Sequence, residues 1–249
     1  MPDTTALFLD FDGTLVEIAP RPDAVRVDPD LVPTLERLRE RLGGALAIVT
    51  GRPIEVIDDF LAPARFDVAG LHGVALRRGG VVLGAGAEGH PALRVKIPEL
   101  EARLEGLEAV LIEDKGASVA VHWRLASERD AERAQAAVEA VAAELAGAYR
   151  LQLGKAVGEI VPATATKAAA IRTFLETQPY AGRRPVFLGD DRTDEIAFTS
   201  VNNDGGISIR VGAGETVARK RLGDPVAVRA TLRAWAEGAP IDPDALADA

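Results

Sequence analysis

Short apolar segments alternate with amphipathic segments along most of this 249-residue chain. Four segments of strand length, at 6–9, 45–49, 185–188 and 207–211, are each followed by Asp, Thr or Gly, residues that commonly begin turns. Strands that alternate with helices form parallel sheets, since the crossover between parallel strands is long enough to hold a helix. The pattern predicts an α/β fold with a doubly wound, mostly parallel sheet.

The helices are predicted from the spacing of apolar residues. Leu residues recur at helical intervals over 31–42, and Asp28, followed by a proline, is typical of a helix N-cap. Further helices are predicted at 53–61 and 166–176. We expect the proline-containing tail after Gly238 to be frayed.

The middle of the chain has a different pattern. A helix is predicted at 98–107 and a longer one at 127–145, with β-hairpins between and after them. This arrangement is typical of a small α+β domain inserted into a larger one. The predicted domains are a core of residues 1–90 and 162–249 and an inserted cap of residues 91–161.

Composition limits the classes of function. The chain has 29 Lys and Arg residues and 38 Asp and Glu residues, so its net charge is −9, and nucleic acid is an unsuitable partner. It has no cysteine, which excludes disulfides and thiolate metal sites. No apolar run is long enough to span a membrane, and the first residues lack a basic signal-peptide start. We expect a cytoplasmic protein without a membrane partner.

Two carboxylates stand at the end of the first apolar run. Asp10 and Asp12 flank one phenylalanine and share a face if the chain stays extended. Two close acids can divide the work of nucleophile or metal ligand and of proton donor. An Asp-Gly pair such as Asp12-Gly13 is also common in solvated turns, so this stretch alone leaves both interpretations open.

A second acidic group follows a later apolar run, at Asp190, Asp191 and Asp194. Helix capping would explain Asp191 or Asp194. The carboxyl ends of parallel strands meet at one edge of a sheet, however, so Asp10, Asp12 and Asp190 should converge there and repel each other unless a cation lies between them. Hard oxygen ligands without His or Cys favour Mg²⁺. The sequence predicts a magnesium site.

Thr50 and Lys167 complete this pattern. Thr50 ends a predicted strand, where a hydroxyl suits a phosphoryl oxygen, and Lys167 begins a predicted helix, where its charge suits a phosphoryl group beside a carboxylate. In the order acid pair, Thr, Lys, acid cluster, these elements resemble the four motifs of the haloacid dehalogenase-like phosphohydrolases. The resemblance implies that Asp10 attacks phosphorus and that Asp12 is the acid/base.

The insert narrows the resemblance. E-D-K-G at 113–116, V-A-V-H-W-R at 119–124 and G-K-A-V-G-E at 154–159, with G-D-D-R-T-D-E-I-A-F at 189–198, are similar to the trehalose-6-phosphate phosphatase family. The likeness extends over residues 6–232. It implies that five cap residues bind the disaccharide hydroxyls and the phosphate: Glu113, Lys115, Arg124, Lys155 and Glu159.

Carboxylates paired with cations also suit a ligand with many hydroxyls, although ordinary cross-strand salt bridges would look the same. To the expected substrate-binding residues we add Gly51 and Arg52, and also His72 as a turn residue that lines the cleft. His122 is interpreted as a packed or hydrogen-bonded histidine and not as a ligand.

The resemblance implies a Mg²⁺-dependent phosphatase that hydrolyses trehalose 6-phosphate through an aspartyl-phosphate. The metal is expected on Asp10, the Asp12 backbone carbonyl and Asp190, with Asp191 and Asp194 nearby, while the cap closes over the sugar. The alternatives are a phosphatase of another sugar phosphate, such as sucrose 6-phosphate or mannosyl-3-phosphoglycerate, a phosphomannomutase-like phosphotransferase and an inactive sugar-phosphate sensor. We expect a monomer that works beside a separate synthase chain.

Overall fold

The computed structural model of the chain describes residues 4–19, 24–83, 90–154 and 156–249. The chain divides into two compact units, which we call the core unit, residues 1–83 and 166–249, and the insert unit, residues 84–165. Each unit has its own sheet and its own cluster of buried apolar side chains.

The strands in chain order are β1 Thr5–Leu9, β2 Leu46–Val49, β3 Asp67–Gly70, β4 Ala75–Arg78, β5 Val81–Leu83, β6 Leu111–Asp114, β7 Val119–His122, β8 Tyr149–Gly154, β9 Val157–Pro162, β10 Arg184–Gly189, β11 Ile207–Val211 and β12 Lys220–Leu222. The helices are α1 Leu31–Arg41, α2 Ile54–Phe60, α3 Pro91–Leu104, α4 Glu128–Glu144, α5 Lys167–Leu175, α6 Glu195–Asn203 and α7 Pro225–Ala236.

The core unit contains an eight-stranded sheet in the order β12-β11-β10-β1-β2-β3-β4-β5. The first six of these strands run parallel, and β4 and β5 add an antiparallel edge. Every residue of β1 is buried, as expected for a central strand that is covered by helices on both faces. The predicted α/β fold with a mostly parallel sheet is confirmed.

The insert unit contains an antiparallel sheet in the order β6-β7-β9-β8. Val119, Val121 and Ile160 point to one face and pack in the hydrophobic cluster with residues of α3 and α4. Side chains alternate along a strand, so Ala120 and Glu159 belong to the opposite face. This second, smaller sheet agrees with the predicted α+β insert.

Two predicted helix starts are wrong. The N-cap of α1 is Asp30, because Asp28 instead forms a turn in which its Oδ1 accepts the Asp30 N–H at 2.8 Å. The helix expected from residue 98 begins at Pro91 and continues through Pro98. Buried apolar residues on both sides of Pro98 hold this helix against the insert core and offset the missing hydrogen bond.

The tail after Gly238 is ordered, contrary to the prediction. It pairs with β12, a strand that the sequence did not predict: the Arg221 N–H donates to the Ala247 carbonyl at 2.9 Å, and Lys220 Nζ donates to the Leu246 carbonyl at 2.9 Å. The Leu246 side chain packs against the core. In the part of the chain that is described, no helix has the length and apolar content needed to cross a bilayer.

Candidate active site

The strand order of the core unit brings the predicted catalytic elements together. Strands β10, β1 and β2 are neighbours, and their carboxyl ends lead directly into Asp190, Asp10 and Thr50. The chain continues from β1 to one side of the sheet and from β10 to the other, so this is the point where the strand order reverses. Ligands of open α/β sheets bind at such points.

Three carboxylates meet at this edge. Asp10, Asp190 and Asp194 each have an oxygen within 4.8 Å of the others. Lys167 Nζ lies 2.9 Å from Asp10 Oδ1 and 2.7 Å from Asp194 Oδ1. Asp10, Lys167 and Asp194 are almost fully buried. We call the three carboxylates Asp10, Asp190 and Asp194, together with Lys167, the acidic cluster.

Local structure explains how so many charged groups fit. Lys167 is the first residue of α5, and the Thr166 hydroxyl caps that helix by accepting the Ala169 N–H at 3.0 Å. Gly13 has a φ of +74°, and a Cβ atom there would lie 2.0 Å from Asp190 Oδ2. A Cβ atom on Gly189 would lie 2.5 Å from Asp194 Oδ2. Both glycines are therefore needed to leave room for the carboxylates.

The electrostatics of the acidic cluster are unfavourable for the acids. Burial raises the pKa of Asp10 well above its ordinary value; Lys167 opposes this shift, and Asp194 and Asp190 add to it. Burial, followed by the charge of Asp194, raises the pKa of Asp190 to about 6. Burial alone would lower the pKa of Lys167, but the charges of Asp10 and Asp194 outweigh it, so this pKa lies above its ordinary value.

The acidic cluster fits a metal ion. Lys167 pairs with two of the three carboxylates, so the ionised cluster keeps an excess of negative charge that a divalent cation would balance. The donor set consists of carboxylate oxygens alone, which suits a hard divalent cation. These three carboxylates can hold a metal ion.

Asp12 and Asp191 lie outside the acidic cluster. Both oxygens of Asp12 accept hydrogen bonds from Arg52, from Nε at 2.6 Å and from a terminal nitrogen at 2.7 Å. The Arg52 guanidinium also lies over the Phe60 ring, 5.1 Å from its centroid. Asp191 caps the short helical turn at 192–194 and forms a capping box with Asp194. Thus Asp194 joins Asp10 and Asp190, whereas the side chain of Asp191 does not.

The residues after β2 and β3 form one compact corner. Thr50 is buried, and its hydroxyl accepts the Arg52 N–H at 3.2 Å. His72 has a φ of +57° and donates its own N–H to the Thr50 carbonyl at 2.9 Å. The His72 ring packs against Gly51, where a Cβ atom would approach within 2.6 Å of the imidazole. The structure places Gly51, Arg52 and His72 beside Thr50, at the carboxyl edge.

The insert unit carries a second polar group on the sheet face opposite α3 and α4. Lys115 Nζ lies 3.1 Å from Glu159 and 3.9 Å from Glu113. Glu159 also accepts the Ser118 hydroxyl at 2.7 Å, and Glu113 lies 2.9 Å from His122 Nε2. We call these five residues the polar face.

Three of the five predicted sugar-binding residues, Glu113, Lys115 and Glu159, are thus in one connected group. Arg124 is exposed just beyond β7, and Lys155 lies outside the described residues. The prediction did not include Ser118 or assign a contact to His122. Strand alternation places both on the face of Ala120, and it could have identified them.

Residues 8–227 match the model of the trehalose-phosphatase family. The chain belongs to this family. A probable trehalose-phosphate phosphatase of Sinorhizobium fredii is 47% identical over 210 residues, which cover 84% of this chain and 78% of the relative. A member of the trehalose-phosphatase family is a phosphatase, so the predicted enzyme class and the family resemblance are confirmed.

Solved structures support the same fold. The chain is similar to a trehalose-6-phosphate phosphatase related protein, with a TM-score of 0.79, 28% identity and coverage of 93% of this chain and 96% of the other. It also matches a haloacid dehalogenase-like hydrolase from Bacteroides thetaiotaomicron, with a TM-score of 0.62, 14% identity and coverage of 91% and 97%. This member of the trehalose-phosphatase family thus has the haloacid dehalogenase-like fold.

Proposed function

We propose that the protein is a Mg²⁺-dependent phosphatase that hydrolyses trehalose 6-phosphate to trehalose and phosphate. The observation that carries this proposal is the acidic cluster, in which a buried lysine bridges Asp10 and Asp194 at the switch point of a trehalose-phosphatase family chain. The names of the relatives in that family support the choice of sugar.

In the proposed mechanism Asp10 is the nucleophile. A carboxylate oxygen of Asp10 attacks phosphorus, and the bond between phosphorus and the sugar oxygen breaks as the Asp10–phosphorus bond forms. Lys167 binds Asp10 Oδ1, which keeps the carboxylate oriented and opposes the cost of its burial. Thr50, buried beside the end of β1, donates its hydroxyl to a phosphoryl oxygen.

Asp12 is the proposed proton donor and acceptor. It gives a proton to the leaving sugar oxygen, and later takes one from the water that hydrolyses the aspartyl-phosphate and frees Asp10. Arg52 occupies both oxygens of Asp12, so at least one of these hydrogen bonds must be released before Asp12 can donate a proton.

The cation site of the proposal is the acidic cluster. Asp10, Asp190 and Asp194 would hold the ion, and the Asp191 side chain lies outside the site. The Asp12 backbone carbonyl would be a further oxygen ligand. When bound, Mg²⁺ supplies charge neutralisation at the phosphoryl oxygens. The insert unit is the proposed specificity cap, and its polar face binds sugar hydroxyls because it offers donors as well as acceptors.

The test is phosphate release from trehalose 6-phosphate with Mg²⁺, measured beside sucrose 6-phosphate, glucose 6-phosphate and an EDTA control. We expect a strong preference for trehalose 6-phosphate that EDTA abolishes. Metal-dependent turnover of another member of the panel would retain the mechanism and reject the assigned sugar. A lack of turnover on every sugar phosphate would reject the proposal.

A further inference from the structure

His122 is a residue of the polar face to which the proposed mechanism gives no part in catalysis or in sugar binding. Its Nε2 lies 2.9 Å from Glu113 Oε2, and its side chain is 27% exposed, so it is not part of the apolar packing of the insert unit. The neighbouring strand residues Val119 and Val121 point into that packing on the other side of the sheet. His122 is therefore close enough to Glu113 to hold its carboxylate by a hydrogen bond.

The register of the sheet explains how the two side chains meet. Glu113 of β6 is paired with Ala120 of β7, and Leu111 is paired with His122. Glu113 and His122 are thus diagonal neighbours on one face, a separation that long side chains can bridge. Because Ala120 is small, it leaves the direct cross-strand position open, and Glu113 reaches the imidazole instead.

The two carboxylates of the polar face are held by different donors. Glu159 accepts hydrogen bonds from the Ser118 hydroxyl at 2.7 Å and from Lys115 Nζ at 3.1 Å. For Glu113 the same lysine is 3.9 Å away, too far for a hydrogen bond. Among the described residues, His122 is the one close donor to Glu113, and its hydrogen bond holds the pKa of this carboxyl below its ordinary value.

We propose that His122 is a positioning residue for sugar recognition, which fixes Glu113 Oε2 through an Nε2–H donor and leaves Oε1 to accept a sugar hydroxyl. Glu113 is 38% exposed and has three rotatable side-chain bonds, so without His122 it would have to be ordered by the substrate itself. The inference rests on the proposed function, since it assumes that Glu113 binds a sugar.

The experiment compares three substitutions of His122 on two substrates, trehalose 6-phosphate and p-nitrophenyl phosphate. In H122Q the amide nitrogen can reach the place of Nε2, whereas in H122N it reaches only the place of Nδ1. We expect H122A and H122N to raise KM for trehalose 6-phosphate about tenfold with kcat within about twofold, the effect of losing a hydrogen bond to a charged group. H122Q should restore most of the affinity.

The aryl phosphate separates positioning from folding. It has no sugar for Glu113 to bind, so its kcat/KM should change far less than that of the sugar phosphate. H90Q is the matched control, because His90 belongs to the same unit but contacts Tyr149 and not the polar face. Thermal melts of all variants check folding. Equal losses on both substrates, or equal behaviour of H122N and H122Q, would overturn the proposal.

A double-mutant cycle completes the test. If His122 acts through Glu113, adding H122A to E113A should raise KM no further. An additional tenfold rise in E113A would show a direct role and overturn the positioning role. The wild-type rate on trehalose 6-phosphate reports on the proposed function itself. If another sugar phosphate is the substrate, the same variants are measured on it, and if none is hydrolysed the role of His122 fails with the function.

Discussion

The acidic cluster of the core unit and the polar face of the insert unit contain similar residues but have opposite electrostatic balance. In the acidic cluster three carboxylates lie close together, Lys167 pairs with only two of them, and burial raises the pKa of Asp10 and Asp190. In the polar face two carboxylates share one lysine, one histidine and one serine, and the pKa of Glu113 is lowered.

This difference indicates what each site is suited to bind. Carboxylates without enough partners gain most from a cation, because it removes their mutual repulsion. Carboxylates that already have partners gain little from a cation, but they can still accept a hydrogen bond from a sugar hydroxyl in place of one from water. Charge balance, more than residue type, is therefore what distinguishes the proposed metal site from the proposed sugar site.

The largest expected effect is on the proposed nucleophile. Asp10→Asn should lower kcat/KM at least about 10⁴-fold on both a sugar phosphate and an aryl phosphate, since the amide is too weak a nucleophile to attack phosphorus in either substrate. Phosphate release is the measurement, with circular dichroism to show that the fold is kept. Asp59→Asn, an exposed acid on α2, is the matched control and should keep full activity. Activity above one-hundredth of wild type in Asp10→Asn would contradict the assignment.

Asp190→Asn tests the excess charge of the acidic cluster. The folded-state pKa of about 6 lies above the ordinary 3.8, so ionising Asp190 costs stability, and this cost appears as the pH rises through that interval. Without metal, Asp190→Asn should therefore be more stable than wild type by about 1–3 kcal/mol at pH 8, with a smaller difference at pH 5. Thermal melts at both pH values measure this.

The same variant sharpens the metal assignment. Mg²⁺ should raise the Tm of the wild type, because an ion that binds only the folded state stabilises it, and should raise the Tm of Asp190→Asn much less. Equal stabilisation of the two proteins by Mg²⁺ would place the ion elsewhere. If Asp190→Asn were less stable than the wild type at pH 8 without metal, ionised Asp190 would not destabilise the folded protein, and the assigned excess of negative charge would be wrong.

On the polar face the effect should depend on the substrate. Glu159→Ala should raise KM for trehalose 6-phosphate about 10- to 100-fold, since it removes an acceptor and leaves Lys115 without its closest carboxylate. KM for p-nitrophenyl phosphate should change much less. Glu132→Ala, an exposed acid on α4, is the control. Equal changes on both substrates would remove Glu159 from sugar recognition.

The smallest expected effect concerns the spacing of the polar face. Ala120 lies between Glu113 and Glu159 in the register of the sheet. Ala120→Val adds two methyl groups there and should raise KM for the sugar phosphate about threefold to tenfold, with a small loss of Tm from overpacking. An unchanged KM in a folded Ala120→Val protein would show that sugar hydroxyls do not approach the sheet surface at Ala120, between Glu113 and Glu159.

Much of the fold could be predicted from the sequence because the apolar segments have clear lengths and spacing. The predictions failed where local signals conflict with packing. A proline is disfavoured inside a helix, so the sequence predicts that the helix begins at Pro98. In the structure α3 begins at Pro91 and continues through Pro98, because its apolar side chains are buried in the insert unit. The tail after Gly238 has no strong pattern of its own, and it is ordered by pairing with β12 and by partial burial of Leu246 against the core.

The candidate site shows the same division. The sequence by itself determined that acids, a threonine and a lysine follow strands or begin helices, since this depends on local patterns. Only the tertiary structure decided that Asp194, and not Asp191, joins Asp10, and that Arg52 holds Asp12. Neighbouring acids in a turn point in different directions, and which of them reaches a residue more than 180 positions away depends on how the strands pack.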